Sequence, residues 1–227
     1  DILSKIDTTL AGKKAEPRVD ATGAGLNVVL ISDVLISIDA ISDAVVQNSQ
    51  TVIYDGAHDT LKTINERLSD LVDATGQNIE HLAIVSHGDP GILKLSNNQL
   101  FSWHTVESNL APWLDLGNML TSHARIDLYG CSIGQQDDGL RLVQSLSMAT
   151  GAQVWASDDS TGTGPSSDWD LEVQSGPTDH DYLLNGALLT KLNVNLDDTT
   201  ITNSSFETGD YTGWTLWEQN GPGIWST

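Results

Sequence analysis

A sulfur nucleophile needs a base beside it, and this chain offers one cysteine, Cys131, and six histidines. Cys131 lies in the stretch Ile126-Asp-Leu-Tyr-Gly-Cys-Ser132, and His87 in Ile84-Val-Ser-His-Gly88. Each follows a short apolar run that reads as a buried strand. If the two strands are neighbours, thiol and imidazole emerge side by side at one sheet edge, as covalent catalysis requires. A free thiol, with a pKa of about 8.5, is only a few per cent thiolate at neutral pH. The imidazole would favour the anion and later protonate a leaving amine. The backbone N–H groups of Gly88 and Cys131 are the expected oxyanion donors, since glycine after the histidine lets substrate approach the main chain closely.

Other readings of these residues stay open. A lone cysteine at a strand end is also an ordinary small apolar residue, and His87 also reads as a hydrogen-bonded capping histidine. Gly130-Cys-Ser-Ile-Gly134 fits the G-x-S-x-G elbow of α/β-hydrolases, with Ser132 as nucleophile and His87-Gly88 as an oxyanion loop. Asp158 or Asp159, then His180, would complete the required chain order. His58, His81, His104, His123 and His180 lack mutual metal-ligand spacing and read as surface or structural. The lone thiol excludes an internal disulfide and zinc sites built from several thiolates. Acidic pairs (Asp137-Asp138, Asp168 with Asp170, Asp179 with Asp181, Asp197-Asp198) offer oxygens to Ca2+, but none completes a calcium loop. The chemistry requires no cofactor, with Ca2+ as an optional ligand.

Five strands are expected to position these groups, over residues 26–33, 51–54, 81–86, 125–129 and 152–156. Helices are expected between them. Leu61, Ile64, Leu68, Leu71 and Val72 repeat at helical spacing before Gly76, a stop signal. Asp137-Asp138 cap a second helix carrying Leu140, Val143, Leu146 and Ala149, which ends at Thr150-Gly151. Strand alternating with helix implies an α/β fold, a three-layer sandwich whose mainly parallel central sheet binds ligands beyond its carboxyl ends. Residues 92–95 and 99–101, with Asn97-Asn98 between them, read as a small hairpin inserted after His87. Residues 169–173 and 187–196 look strand-like and would extend the sheet.

The layout reads as a leader over 1–25, a catalytic domain over 26–199 and a linker with a short β segment over 200–227. The leader gathers Lys5, Lys13, Lys14 and Arg18, and Asp1 is expected to be a processed start. The last segment holds three of the seven tryptophans and resembles the opening strand of a carbohydrate-binding β-sandwich module. With 31 acidic against 10 basic side chains the formal charge is −21, so the surface repels nucleic acid and anionic membranes. It suits a secreted protein in a salty or calcium-rich medium. No apolar run reaches the ~20 residues a spanning helix needs, so no membrane insertion is expected.

An apolar strand ending in His-Gly, a hairpin, a helix, then an apolar strand ending in Cys resembles the arrangement of caspases, legumain, clostripain, gingipains and separase. More narrowly, VSHGDPGILKLSNNQL, RIDLYGCSIGQQDDGLRLVQSLSMATGAQVWASDDSTG and DWDLEVQSG resemble a bacterial domain of unknown function found near the N-termini of giant surface and adhesin-like proteins. The likeness spans roughly residues 26–190. It implies a caspase-like sandwich, a Cys131–His87 dyad, and a secreted or cell-surface location on a bacterium. In such peptidases the residue closing the first strand, here Asp33, helps line the pocket for the side chain before the scissile bond. An acid there implies cleavage after Arg or Lys, with Asp158 and Asp159 adding to the pocket. The substrate is then a polypeptide, with the chain's own basic leader among the candidates. A dead peptidase fold serving as an adhesin spacer or docking module is the non-catalytic alternative.

Overall fold

In the computed structural model, residues 25–176 and 181–196 are described. The chain separates into two compact units, Asp1–Asp197 and Asp198–Thr227, and every described residue belongs to the first. The basic leader through residue 24 and the tryptophan-rich C-terminal segment lie outside the described residues.

The apolar, β-branched runs form β1 (Leu26–Ser32), β2 (Ser49–Tyr54), β3 (Ile79–Val85), β7 (Leu120–Tyr129) and β8 (Gln153–Ala156), all parallel. The short β11 (Val173–Gln174) closes one side antiparallel to β8, giving a six-stranded sheet in the order β11-β8-β7-β3-β1-β2. The carboxyl ends of β3 and β7 are therefore adjacent. Val85 lies opposite Tyr129, and Ser86 N–H donates to Tyr129 O at 3.0 Å.

Successive strand residues serve opposite faces, and both faces are covered. On one, Val28, Leu30, Leu82, Ile84, Ile126 and Leu128 pack against α2 (Leu61–Thr75), α3 (Trp103–Ser108), α4 (Leu110–Gly117) and α5 (Gln136–Thr150). On the other, Val29, Ile31, Ala83, Val85 and Tyr129 meet Ile41 of α1 (Ile38–Asp43) and Leu189 of α6 (Gly186–Lys191). The stop signals act as glycines should: Gly76 ends α2 at φ 68° and Gly151 ends α5 at φ 78°. At the start of α5 the N-cap is Gln135, without a side-chain cap bond, and Asp137 and Asp138 lie in the first turn. Their charge still complements the helix dipole there.

After His87 the chain forms a three-stranded antiparallel sheet of β4 (His87–Asp89), β5 (Ile92–Ser96) and β6 (Gln99–Phe101). Two strand-like stretches behave differently from expectation. Residues 187–196 are not a strand: Asn185 Oδ1 accepts from Leu188 N–H at 3.0 Å and starts α6, and residues 193–196 continue as an irregular segment. Of residues 169–173 only Val173 pairs, within β11, while Trp169 and Leu171 bury side chains against the second face without a ladder. The short strands β9 (Ser160–Thr161) and β10 (Ser167–Asp168) pair separately from the main sheet.

Candidate active site

Four parallel strands deliver the candidate residues to one rim. Across the carboxyl edge run Asp158 and Asp159 beyond β8, Cys131 beyond β7, His87 beyond β3 and Asp33 beyond β1. His87 and Cys131 are both half-buried, and Cys131 packs against the apolar cluster of the second face.

Two glycines let the turns carrying these residues touch main chain to main chain. A Cβ on Gly88 would lie 2.6 Å from Cys131 O and 2.5 Å from Ile133 Cγ1. A Cβ on Gly130 would lie 2.8 Å from Ser86 O and 3.2 Å from the carbonyl carbon of His87. Larger residues would wedge the two strand ends apart. The Cys131 turn itself is held from the side of β8. Ser132 N–H donates to Asp159 O at 2.6 Å, Gly134 N–H to Ser157 O at 2.7 Å, and Ser132 has the left-handed φ of 60°. Below it, a Cβ on Gly139 would overlap the carbonyl of Gly134, so α5 is seated directly against the turn.

The backbone anchors the imidazole through Nδ1. His87 Nδ1–H donates to Leu196 O at 2.8 Å. Because a carbonyl only accepts, Nδ1 carries the proton, and Nε2 is the nitrogen at which the neutral ring is basic. Lys94, the Cα partner of His87 in the hairpin, pairs with Asp89 at 3.0 Å.

The expected acidic pocket divides. Asp33 is exposed and its Oδ1 accepts from Gly56 N–H at 2.8 Å. Asp158 is exposed, and its N–H donates to Glu172 Oε2 at 3.0 Å. The ends of β1 and β8 are three strand spacings apart, roughly 14 Å, so these acids flank the Cys131–His87 edge from opposite sides. Asp159 instead gathers with Asp168 and Glu172, carboxylate oxygens all within 4.8 Å of one another. Burial first, then neighbouring negative charge, holds the Asp159 carboxyl above its usual range; burial likewise raises Glu172. Three such carboxylates have the hard oxygen chemistry that suits a divalent cation or a guanidinium. Sequence spacing does not single out Asp168 with Glu172, because only the fold of residues 158–172 brings them to Asp159. His180, the alternative triad's histidine, lies outside the described residues.

A second histidine site is buried near the other end of β3. His81 Nε2–H donates to Asp127 Oδ2 at 2.9 Å, and Arg125 binds both oxygens of Asp127, with Nη2 at 3.0 Å from Oδ2. The guanidinium lies 4.1 Å from the Trp155 ring centroid. His81, read from sequence as surface or structural, is thus a core residue. The sequence signal for it is Arg125-Ile-Asp127, opposite charges two apart in a strand and hence on one face.

The model of a family described as domain of unknown function (DUF4347) matches residues 28–216, and the chain belongs to that family. No curated protein matches the chain. Among the described residues, no helix is long and apolar enough to cross a membrane.

Proposed function

We propose that this DUF4347 domain is a cysteine endopeptidase with a Cys131–His87 dyad, cleaving after Arg or Lys. The observation that carries the reading is the backbone contact of the two strand-end turns: Gly88 against Cys131 O, and Gly130 against the His87 carbonyl carbon. Further support comes from the sheet order, with five parallel strands, one antiparallel edge strand and a hairpin after the histidine, which is compatible with a caspase-like sandwich.

In this mechanism the Cys131 proton passes to His87 Nε2, and the thiolate attacks the scissile carbonyl carbon. The Gly88 and Cys131 N–H groups bind the oxyanion. As the tetrahedral centre collapses, the C–N bond breaks and Nε2 gives its proton to the leaving amine. Water then attacks the thioester while Nε2 takes its proton. Collapse of this second centre breaks the C–S bond, the proton returns to sulfur, and a carboxylic acid leaves. No cofactor takes part. Asp33 on the His87 side and Asp158 and Asp159 on the Cys131 side favour a basic residue before the cut, because a guanidinium relieves crowded carboxylates. A large bacterial surface protein carrying this domain, including its own Lys13, Lys14 and Arg18 segment, is the proposed substrate class.

The left-handed φ of 60° at Ser132 favours a second reading, a hydrolase elbow with Ser132 as nucleophile. The two readings separate with a peptide library varied at the residue before the cut, run on wild type, Cys131→Ala and Ser132→Ala. The dyad requires cleavage after Arg or Lys that Cys131→Ala abolishes and Ser132→Ala retains. Activity lost only in Ser132→Ala supports the elbow, and no cleavage by any of them supports a non-catalytic module.

A further inference from the structure

Residues 193–196 follow α6 and cross the loop after β9 before reaching the histidine. Val194 and Leu196 are 1 % exposed and belong to the core of the second face, whereas Asn193 is exposed and Asn195 half-buried. Its peptide groups are tied along its length. Val194 N–H donates to Leu189 O at 3.1 Å, and Val194 O accepts from Thr163 Oγ1 at 3.3 Å. Leu196 N–H donates to Thr161 O at 3.0 Å, and Leu196 O accepts from His87 Nδ1 at 2.8 Å. Asn195 supplies the clamp. Its Oδ1 accepts from Thr163 N–H at 2.6 Å, and its backbone presses on Gly162, where a Cβ would lie 2.8 Å from Asn195 Cα.

Resting on the dyad reading, we propose that residues 193–196 are a positioning strap: through Leu196 O they fix the His87 ring, and so govern how readily Cys131 becomes a thiolate. The carbonyl holds the proton on Nδ1 and aims the ring. It also stabilises the imidazolium that must form when Nε2 takes the thiol proton. The bonds of Asn195 and Thr163 run between the strap and the loop after β9. They act through the Leu196 carbonyl, which no side-chain substitution can remove. Among the described residues, the charged or titratable groups on the elements around the ring are Cys131 on the neighbouring turn, Lys94 with Asp89 on the hairpin and Asp138 of α5 packed on it, Asp33 beyond β1, and Asp159 with Asp168 and Glu172 behind the Cys131 turn and the β9 loop. The Asn195 and Thr163 substitutions leave each of these side chains in the chain.

The test is the rate of Cys131 alkylation by iodoacetamide, read by intact mass on the full chain from about pH 5 to pH 9. It needs no knowledge of the substrate. In Asn195→Ala the rate near pH 6 is expected to fall about tenfold and to converge on wild type at the alkaline end. Asn195→Asp, which keeps an acceptor for Thr163 N–H, should recover most of the loss. Thr163→Val, a milder lesion, should move the acid limb the same way by less and covers the case in which Asn195→Ala fails to fold. Strap variants whose profiles superimpose on wild type would overturn the proposal while leaving the dyad intact. A wild-type profile unchanged by His87→Ala would instead refute the dyad, and the strap's role with it.

Discussion

His81 and His87 sit six residues apart on one run of chain, yet the fold treats them as opposites. His81 is 6 % exposed and bonded to Asp127, itself held by Arg125. Its imidazole completes a buried hydrogen-bonded set, so moving its proton would break that network. His87 is half-buried, tied at Nδ1 to a neutral carbonyl, and stands beside the Cys131 turn. Buried in the core, with its carboxylate partner shared with Arg125, His81 reads as structural. A backbone anchor on one nitrogen, at a strand end, suits the other nitrogen to chemistry.

Substitutions should separate the two sites by what they damage. The largest expected effect is at the rim: Cys131→Ala or His87→Ala should lower peptidase activity by at least about a thousandfold with little change in melting temperature. Asp127→Ala should do the reverse. It strands Arg125 in the core and should cost about 3–5 kcal/mol in urea unfolding, while the alkylation rate per folded molecule stays near wild type. Gly88→Ala joins the two categories, because its Cβ would meet Cys131 O at 2.6 Å. It should cut kcat by about ten- to a hundredfold with a smaller rise in KM, measured on the best basic peptide.

The smallest effect concerns the acid cluster. The Asp159 and Glu172 carboxyls are raised in the folded state, so the folded protein binds protons more readily than the unfolded chain. Stability from these groups is therefore present at acid pH and is lost as pH rises through their folded pKa values. Glu172→Gln should raise the melting temperature slightly at neutral pH and not at acid pH. Millimolar Ca2+ should have the same sign in wild type and less effect in the variant.

How far the sequence carries such a contrast depends on what kind of group does the work. The strands bearing His87 and Cys131 are apolar and followed by glycine turns, so their hydrophobic pattern announces them. Gly76 and Gly151 announce helix ends for the same local reason. Residues 187–196 mislead because an apolar run does not distinguish strand from buried helix, and the deciding signal is the Asn185 cap just before them. The His81 network needs two strands in register to exist, and Leu196 acts through its carbonyl, which every residue possesses. Neither leaves a mark in a one-dimensional pattern.

The most direct test of the dyad is covalent labelling with an arginine chloromethylketone, followed by peptide mapping of wild type and His87→Ala. Stoichiometric adduct on Cys131 of the folded wild type, absent from His87→Ala after the same brief incubation, is the expected result. A thiol that reacts only after denaturation, or equally in both proteins, would contradict a cysteine peptidase at this rim.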